Sequence, residues 1–249
     1  MNRTALITGG SRGLGRTVAE FLAAQKYNLI ITARNEDELE TSARALRRHG
    51  GQVIALAGDV SDPGHRRRLA AAARDLGRLD ILFNNASTLG ATPLPPLAEY
   101  PLEALEEAFR INVLAPIALV REVLPLLEGG LVVNVSSDAA RGGYPGWGGY
   151  GMTKAALDLA SLTLANELSG LSRGLGVGVV AVDPGDLRTR MHQDAFPGED
   201  ISDRPLPDVT LPFWAWLFGQ PPAAVTGRRY QAQSDCWEVN VPALEEVAV

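Results

Sequence analysis

The sequence predicts an α/β protein, a single doubly wound domain with a predominantly parallel sheet and helices on both of its faces. Three observations carry this reading. Short apolar runs alternate with longer segments of helical spacing through most of the chain, the rhythm that builds strand–helix–strand units. The runs are apolar throughout and do not alternate with polar residues, as in strands covered on both faces. No repeat and no Gly/Ser-rich linker divides the 249 residues, of which 46% are hydrophobic. One domain over residues 1–249 can therefore bury enough surface to fold without staples.

The elements follow in order. Ala5–Thr8 is the first apolar run, and after a glycine-rich turn Gly13–Gln25 carries helical spacing. Leu29–Thr32 and Val53–Ala57 read as strands around a helix over Glu36–His49, and Asp62–Leu76 leads as a helix into a fourth strand, Leu79–Phe83. A long helical segment, Leu102–Leu127, precedes a fifth strand, Leu131–Val135; a second, Trp147–Ser169, precedes a sixth, Val177–Val182. After Pro184 the rhythm breaks. Residues 191–212, rich in Pro and Asp, read as a long loop or substrate lid, followed by a short helix near Phe213–Phe218 and a strand near Arg229–Ala232. The C-terminal extension Asp235–Val249 has no evident place in the sheet.

Composition narrows the function classes. The chain has 23 Lys and Arg against 29 Asp and Glu, a formal net charge of −6, whereas a nucleic-acid binder carries a basic stripe. Its one basic run, Arg66-Arg67-Arg68, lies between Asp62 and Asp75 and is expected on a solvated helix face. No apolar run approaches the roughly 18 residues of a membrane span, and Ala5-Leu6-Ile7 passes at once into glycines, unlike a secretory signal. The single Cys236 excludes an internal disulfide. These points imply a soluble, cytoplasmic protein with neither a nucleic-acid nor a membrane partner. Of the 23 basic residues only Lys26 and Lys154 are lysine.

The turn Thr8-Gly9-Gly10-Ser11-Arg12-Gly13-Leu14-Gly15 sits between the first strand and the first helix. Glycines there let the backbone approach a pyrophosphate seated on the helix N-terminus. The end of the second strand decides which dinucleotide is bound. An NAD site places a carboxylate there for the adenosine ribose, but Ala33 holds that position and Arg34 follows it. Arg34 and Arg12 are suited to grip a 2′-phosphate, so NADP(H) is the expected cofactor. The alternative is a pair of ordinary surface arginines.

Tyr150 and Lys154 are four residues apart at the start of a helix, so both project from one face. A phenol is a poor acid at neutral pH unless a nearby cation favours its ionised form, and Lys154 supplies one. An exposed helix pair is the bland alternative. Pro116 stands four residues after Asn112 and lacks the N–H that would bond the Asn112 carbonyl. That frees the carbonyl for a water, or simply kinks the helix, or both.

The spacing Gly9, Gly13, Gly15, the segment Val133-Asn134-Val135-Ser136-Ser137, and Tyr150-Gly151-Met152-Thr153-Lys154 with Ser137 thirteen residues before Tyr150 resemble the short-chain dehydrogenase/reductase family. The resemblance covers roughly residues 3–190. It implies a Rossmann-like fold and a CH–OH/carbonyl oxidoreductase. On that basis Tyr150 is the proton donor or acceptor, Ser137 polarises the carbonyl, Lys154 lowers the Tyr150 pKa and orients the nicotinamide ribose, and Asn112 anchors a relay water. It assigns Gly9, Ser11, Arg12, Gly13, Leu14, Gly15 and Arg34, then Asp59, Val60, Asn85 and Ala86, then Tyr150 and Lys154, and finally Pro184, Gly185, Leu187 and Thr189, to cofactor binding. Asn84-Asn85-Ala86 departs from the family pattern at Ser87, where glycine is usual.

Segments around these residues shape the substrate site. Leu89, Tyr144, Trp147 and Met191 are candidates for an apolar pocket, with Asp138 beside the serine and His192 expected to face solvent. Thr88-Leu89-Gly90 with Gly143-Tyr144-Pro145-Gly146-Trp147 is similar to sepiapterin-reductase and benzil-reductase relatives, which act on aromatic or vicinal carbonyls. A 3-oxoacyl-carrier-protein reductase shares the catalytic set, but Arg141 alone is a thin docking patch for an acidic carrier. A non-catalytic NADP-sensing or scaffold protein would not need Ser137, Tyr150 and Lys154 together. The resemblance further implies a homodimer or homotetramer through the two long helices, the second offering Ala155, Ala156, Leu159, Leu162 and Leu164. No metal site is expected.

Overall fold

The computed structural model describes residues 2–168 and 176–238. Strands β1 (Thr4–Thr8), β2 (Asn28–Ala33), β3 (Val53–Ala57), β4 (Ile81–Asn84), β5 (Leu131–Val135), β6 (Gly178–Asp183) and β7 (Arg229–Gln231) form one sheet in the order β3-β2-β1-β4-β5-β6-β7. Every pairing is parallel. The order reverses between β1 and β4, which leaves a crevice at the carboxyl ends of those strands.

Helices α1 (Gly13–Ala24), α2 (Glu36–Arg47), α3 (Pro63–Asp75), α4 (Leu102–Phe109), α5 (Ala115–Val123) and α6 (Gly148–Leu168) cover the sheet, with the shorter α7 (Arg190–Ala195), α8 (Leu211–Phe218) and α9 (Pro222–Val225) towards the C-terminus. Side-chain alternation along the strands divides the core. In β1, Ala5 and Ile7 pack with Leu22, Phe83 and Trp214 in one apolar cluster. Leu6 points the other way, to Leu69, Leu82 and Leu119. The continuous apolar runs arise because both faces need such a residue. Asn35 and Asp62 start α2 and α3 by accepting hydrogen bonds from main-chain N–H groups of the first turn.

Several expectations need correction. The helix expected over Leu102–Leu127 is interrupted by a π turn at Arg110–Leu114 and ends in a 3₁₀ turn at Leu124–Leu126. Pro116 has no N–H for the Asn112 carbonyl, and the chain widens there, Ala115 N–H reaching back to Arg110 O. Strand β4 starts two residues later than expected, at Ile81. Within the expected lid, 190–195 and 207–210 are helical, and α9 carried no sequence signal of its own. Ser169, the expected end of the second long helix, lies outside the described residues.

The Arg66-Arg67-Arg68 run is not wholly solvated. Arg66 is buried, donating to Val60 O at 2.7 Å and lying 3.4 Å from the Glu122 carboxylate on α5. Its neighbour His65 is fully buried, with Nε2 2.7 Å from Thr32 Oγ1. Beyond β7 the chain packs Trp237 on Phe213 and Trp216, with ring centroids 5.3 and 5.8 Å apart. That places the start of the C-terminal extension; residues 239–249 lie outside the described residues.

Candidate active site

A cleft of about 900 Å³ runs from the glycine turn to the aromatic side chains before α6. At one end the turn is drawn tight. Gly9 and Gly13 take positive φ, +69° and +54°, where a side chain would be strained. A Cβ on Gly15 would lie 2.3 Å from Gly9 O, and one on Gly9 would lie 2.5 Å from Asn85 Nδ2. Asn85 Nδ2 donates to Thr8 O at 2.9 Å, and Thr8 Oγ1 accepts from the N–H of Asn85 and of Ala86. Asn85 and Ala86 thus brace the turn. Arg12 precedes α1 and gives its first turn no side-chain hydrogen bond, so those amides remain available to an anion.

Beyond the turn, Arg12, Arg34, Glu38, Asp59 and Val60 line the cleft. Arg34 is exposed, and Arg12 Nη1 stands 3.5 Å from Glu38 Oε2. Asp59 Oδ1 accepts from Ser61 N–H at 2.7 Å, turning the chain towards α3. Across the cleft Pro184, Gly185, Leu187 and Thr189 follow β6. Gln233 Nε2 holds this turn by donating to Pro184 O and Asp186 O at 2.9 and 3.1 Å. Thr189 Oγ1 caps α7 through His192 N–H.

At the far end Ser137 follows β5, while Tyr150 and Lys154 rise from the first turns of α6 and line the cleft with it. Tyr150 is buried, and burial pushes its phenol well above the usual range. Hydrogen bonding from Ser137 and Ser87 opposes that rise, whereas the charges of Asp183 and Asp138 add to it. Lys154 is equally buried, and burial lowers its ammonium to about 8 against the pull of Asp158. Its Nζ donates to Val135 O at 2.7 Å and lies 5.4 Å from the Tyr150 ring centroid.

Asn112 sits in the π turn with its side chain saturated. Its Oδ1 accepts from Thr88 N–H at 2.9 Å and Ser87 Oγ at 3.0 Å, and its Nδ2 donates to Thr88 O and Thr153 Oγ1. The unexpected Ser87 hydroxyl therefore joins Asn112 to the tyrosine.

The candidate pocket residues Leu89, Asp138, Tyr144, Trp147 and Met191 all line the same cleft. Trp147 meets Tyr150 edge-on at 5.9 Å and Phe196 at the same centroid distance. Tyr144 is largely exposed. Asp138 accepts from Ser137 Oγ at 3.1 Å, and its charge raises the Tyr144 phenol. His192 does not face solvent: its side chain is only 10% exposed and lies 5.0 Å from the Phe196 ring, inside the cleft wall.

Two residues carried no sequence signal. Phe196 is one, brought in by α7. Arg229, at the start of β7, is the other: its guanidinium donates to Asp158 Oδ2 at 2.9 Å and to Ser137 O at 2.7 Å, and approaches Asp183 Oδ2 at 3.4 Å. Among the described residues no group of His, Cys, Asp and Glu is arranged to hold a metal, and no helix is long and apolar enough to cross a membrane.

The family model for short chain dehydrogenases matches residues 3–200. The chain belongs to the short-chain dehydrogenase family. It is an oxidoreductase. An uncharacterised oxidoreductase of Escherichia coli K12, YciK, is 31% identical over 241 residues, 93% of this chain and 92% of that one. A diacetyl reductase of Staphylococcus epidermidis, described as (S)-acetoin forming, is 31% identical over 77% of this chain and 74% of its own. A solved short chain dehydrogenase of Escherichia coli CFT073, complexed with NADPH, superposes with a TM-score of 0.85 at 30% identity, covering 94% of this chain and 98% of that one.

Proposed function

We propose that this oxidoreductase transfers hydride between NADP(H) and the ketone or secondary alcohol of a small to medium, apolar or aromatic substrate. One observation carries the reading: Ser137, Tyr150 and Lys154 stand at the apolar end of a cleft whose other end is a side-chain-free glycine cradle flanked by two arginines. The cradle suits a dinucleotide, because side chains at Gly9 or Gly15 would close the turn on itself. The NADPH complex of the related Escherichia coli protein supports the same cofactor.

The glycine turn and the free amides of α1 would hold the pyrophosphate, Arg12 and Arg34 the 2′-phosphate, and Asp59 with Val60 the adenine. Leu187 and Thr189 would hold the carboxamide. Bound there, the reduced cofactor would supply the hydride that a carbonyl carbon accepts. Tyr150 gives its phenolic proton to the carbonyl oxygen, and Ser137 Oγ hydrogen-bonds that oxygen as charge develops on it. Lys154, protonated below about 8, favours the phenolate left behind. Asn112, its side chain saturated, would anchor a relay water through the main-chain oxygen that Pro116 leaves without its helical donor.

Trp147, Phe196, Leu89 and Met191 form the apolar wall that favours a flat or apolar carbonyl compound. The diacetyl reductase relative adds a vicinal dicarbonyl to that class. The exposed face of α6, with Leu159 66% and Leu162 46% exposed, pairs with a second copy in a homodimer or homotetramer, and the enzyme works in the cytoplasm.

The test is oxidation of NADPH and of NADH with aliphatic ketones, aromatic diketones and acyl thioesters. Turnover of diketones with NADPH is expected, and Tyr150→Phe is expected to bind NADPH yet lose nearly all turnover. Retained turnover in that variant removes Tyr150 from the mechanism, and preference for acyl thioesters makes the protein an acyl-carrier reductase.

A further inference from the structure

Arg229 lies outside every motif discussed above, yet three of its contacts end on elements that carry those motifs. Its Nη2 donates to the main-chain oxygen of Ser137 at 2.7 Å, just after β5. Its Nε donates at 2.9 Å to Asp158, one helical turn beyond Lys154 on α6. Its Nη2 also lies 3.4 Å from Asp183, the last residue of β6. All three groups are sheltered: the Arg229 side chain is 11% exposed, that of Asp158 18% and that of Asp183 4%.

The register explains the reach. Arg229 pairs with Ala181 in β6, and Val182 O accepts from Ser136 N–H at 2.7 Å, so one long side chain on β7 can cross the end of β6 towards Ser137. A planar guanidinium serves a carbonyl and two carboxylates from separate nitrogens held in a fixed fork, whereas an ammonium offers its three donors from a single nitrogen.

We propose that Arg229 is a positioning residue of the catalytic centre. Its guanidinium pins the Ser137 main chain and partly offsets the charge of the two sheltered carboxylates, Asp158 and Asp183, that flank Lys154 and Tyr150. The inference rests on the catalytic roles proposed above for Ser137, Tyr150 and Lys154.

The charged groups around the centre are few. Tyr150 faces the charges of Asp183 and Asp138, and Lys154 that of Asp158. Asp183, raised by burial, is held down by Arg229 and pushed up by Asp138. Removing the guanidinium exposes Lys154 and Tyr150 to uncompensated negative charge, and both then keep their protons to higher pH. The other oxygen of Asp158, Oδ1, has no hydrogen-bond partner among the described residues, while Oδ2 accepts from Arg229 Nε.

Having two lysines makes the direct test simple. Lysine labelled with ¹³C at Cε gives two resonances, from Lys26 and Lys154, whose titration is read in the cofactor-free protein. The expected result is a Lys154 midpoint higher in Arg229→Gln than in the wild type, returned by the double variant R229Q/D158N. In parallel, kcat for 1-phenyl-1,2-propanedione with NADPH is expected to fall at least tenfold in R229Q, with little change in KM for NADPH. Arg229→Lys is expected to bring the Lys154 midpoint back towards the wild-type value while kcat stays low, because one ammonium cannot make the forked contacts. An unmoved midpoint in folded R229Q, or a kcat within twofold of the wild type, overturns the proposal. If R229Q does not fold, R229Q/D158N/D183N carries the test: a wild-type midpoint with reduced kcat supports the proposal, and wild-type kcat overturns it. Tyr150→Phe in the same assay separates the two readings, since its retained turnover refutes the catalytic roles and leaves the Lys154 titration untouched.

Discussion

Lys154 gives the sharpest quantitative prediction. It is 2% exposed, its Nζ bonds Val135 O at 2.7 Å, and burial brings it from an ordinary 10.5 to about 8. Between those two values the unfolded chain holds a proton that the folded chain has released. Stability therefore rises with pH across the interval and falls again as pH drops towards 8. At about 1.4 kcal/mol per pH unit the full interval corresponds to about 3 kcal/mol. Lys154→Met removes the titrating group and leaves the rest of the ionisable set unchanged. Urea unfolding of the cofactor-free wild type and variant at several pH values from about 7.5 to 10 isolates the term. The wild type should gain about 2–3 kcal/mol relative to the variant across that range, while the variant loses carbonyl reduction at every pH. A difference that stays flat with pH would show that the folded protein holds this lysine near its ordinary value, and would refute the burial argument.

Arg34→Asp should reverse the nucleotide preference from NADPH towards NADH by at least tenfold in kcat/KM. It replaces an exposed cation at the adenosine end with a carboxylate for the ribose hydroxyl. Gly58→Ala places a Cβ 2.3 Å from His65 Nδ1 and so strains the buried His65–Thr32 contact; thermal unfolding should show a loss of about 1–3 kcal/mol. Burial also lowers His65 itself, so its contribution is full above the ordinary 6.5 and is lost as the solution is acidified below it. His65→Gln should flatten the acid limb of a stability–pH curve. Trp147→Ala should raise KM for an aromatic diketone several-fold and leave NADPH affinity unchanged, because Trp147 packs on Tyr150 and Phe196 at the apolar end of the cleft.

Most of the fold was legible because its causes are local. Apolar runs such as Leu29–Thr32 and Leu131–Val135 have one good solution, a strand covered on both faces, and all seven expected strands are present. The glycine turn was legible for a similar reason: a positive φ at Gly9 and a close approach at Gly15 leave no room for other residues. The break in the long helix was harder to place. Pro116 marked a missing hydrogen bond, but sequence spacing does not say whether the chain kinks or widens into a π turn. Arg66 misled because its triplet looks uniformly charged, whereas a helix sends neighbouring residues to different sides, and Arg66 meets Glu122 on another helix.

The sequence by itself determined the strand–helix order, the glycine cradle, and the residues proposed for carbonyl chemistry, because each depends on backbone freedom or on spacing along one element. Only the tertiary structure decided what surrounds them. Ser87 bridges Asn112 and Tyr150, His192 turns into the cleft wall, and Phe196 completes the apolar end. Arg229 reaches Ser137 from 92 residues away in the chain. That last contact joins residues distant in sequence and adjacent only after β5, β6 and β7 have paired. Burial itself is a tertiary property, and burial is the largest cause of the upward shift of Tyr150 and the downward shift of Lys154.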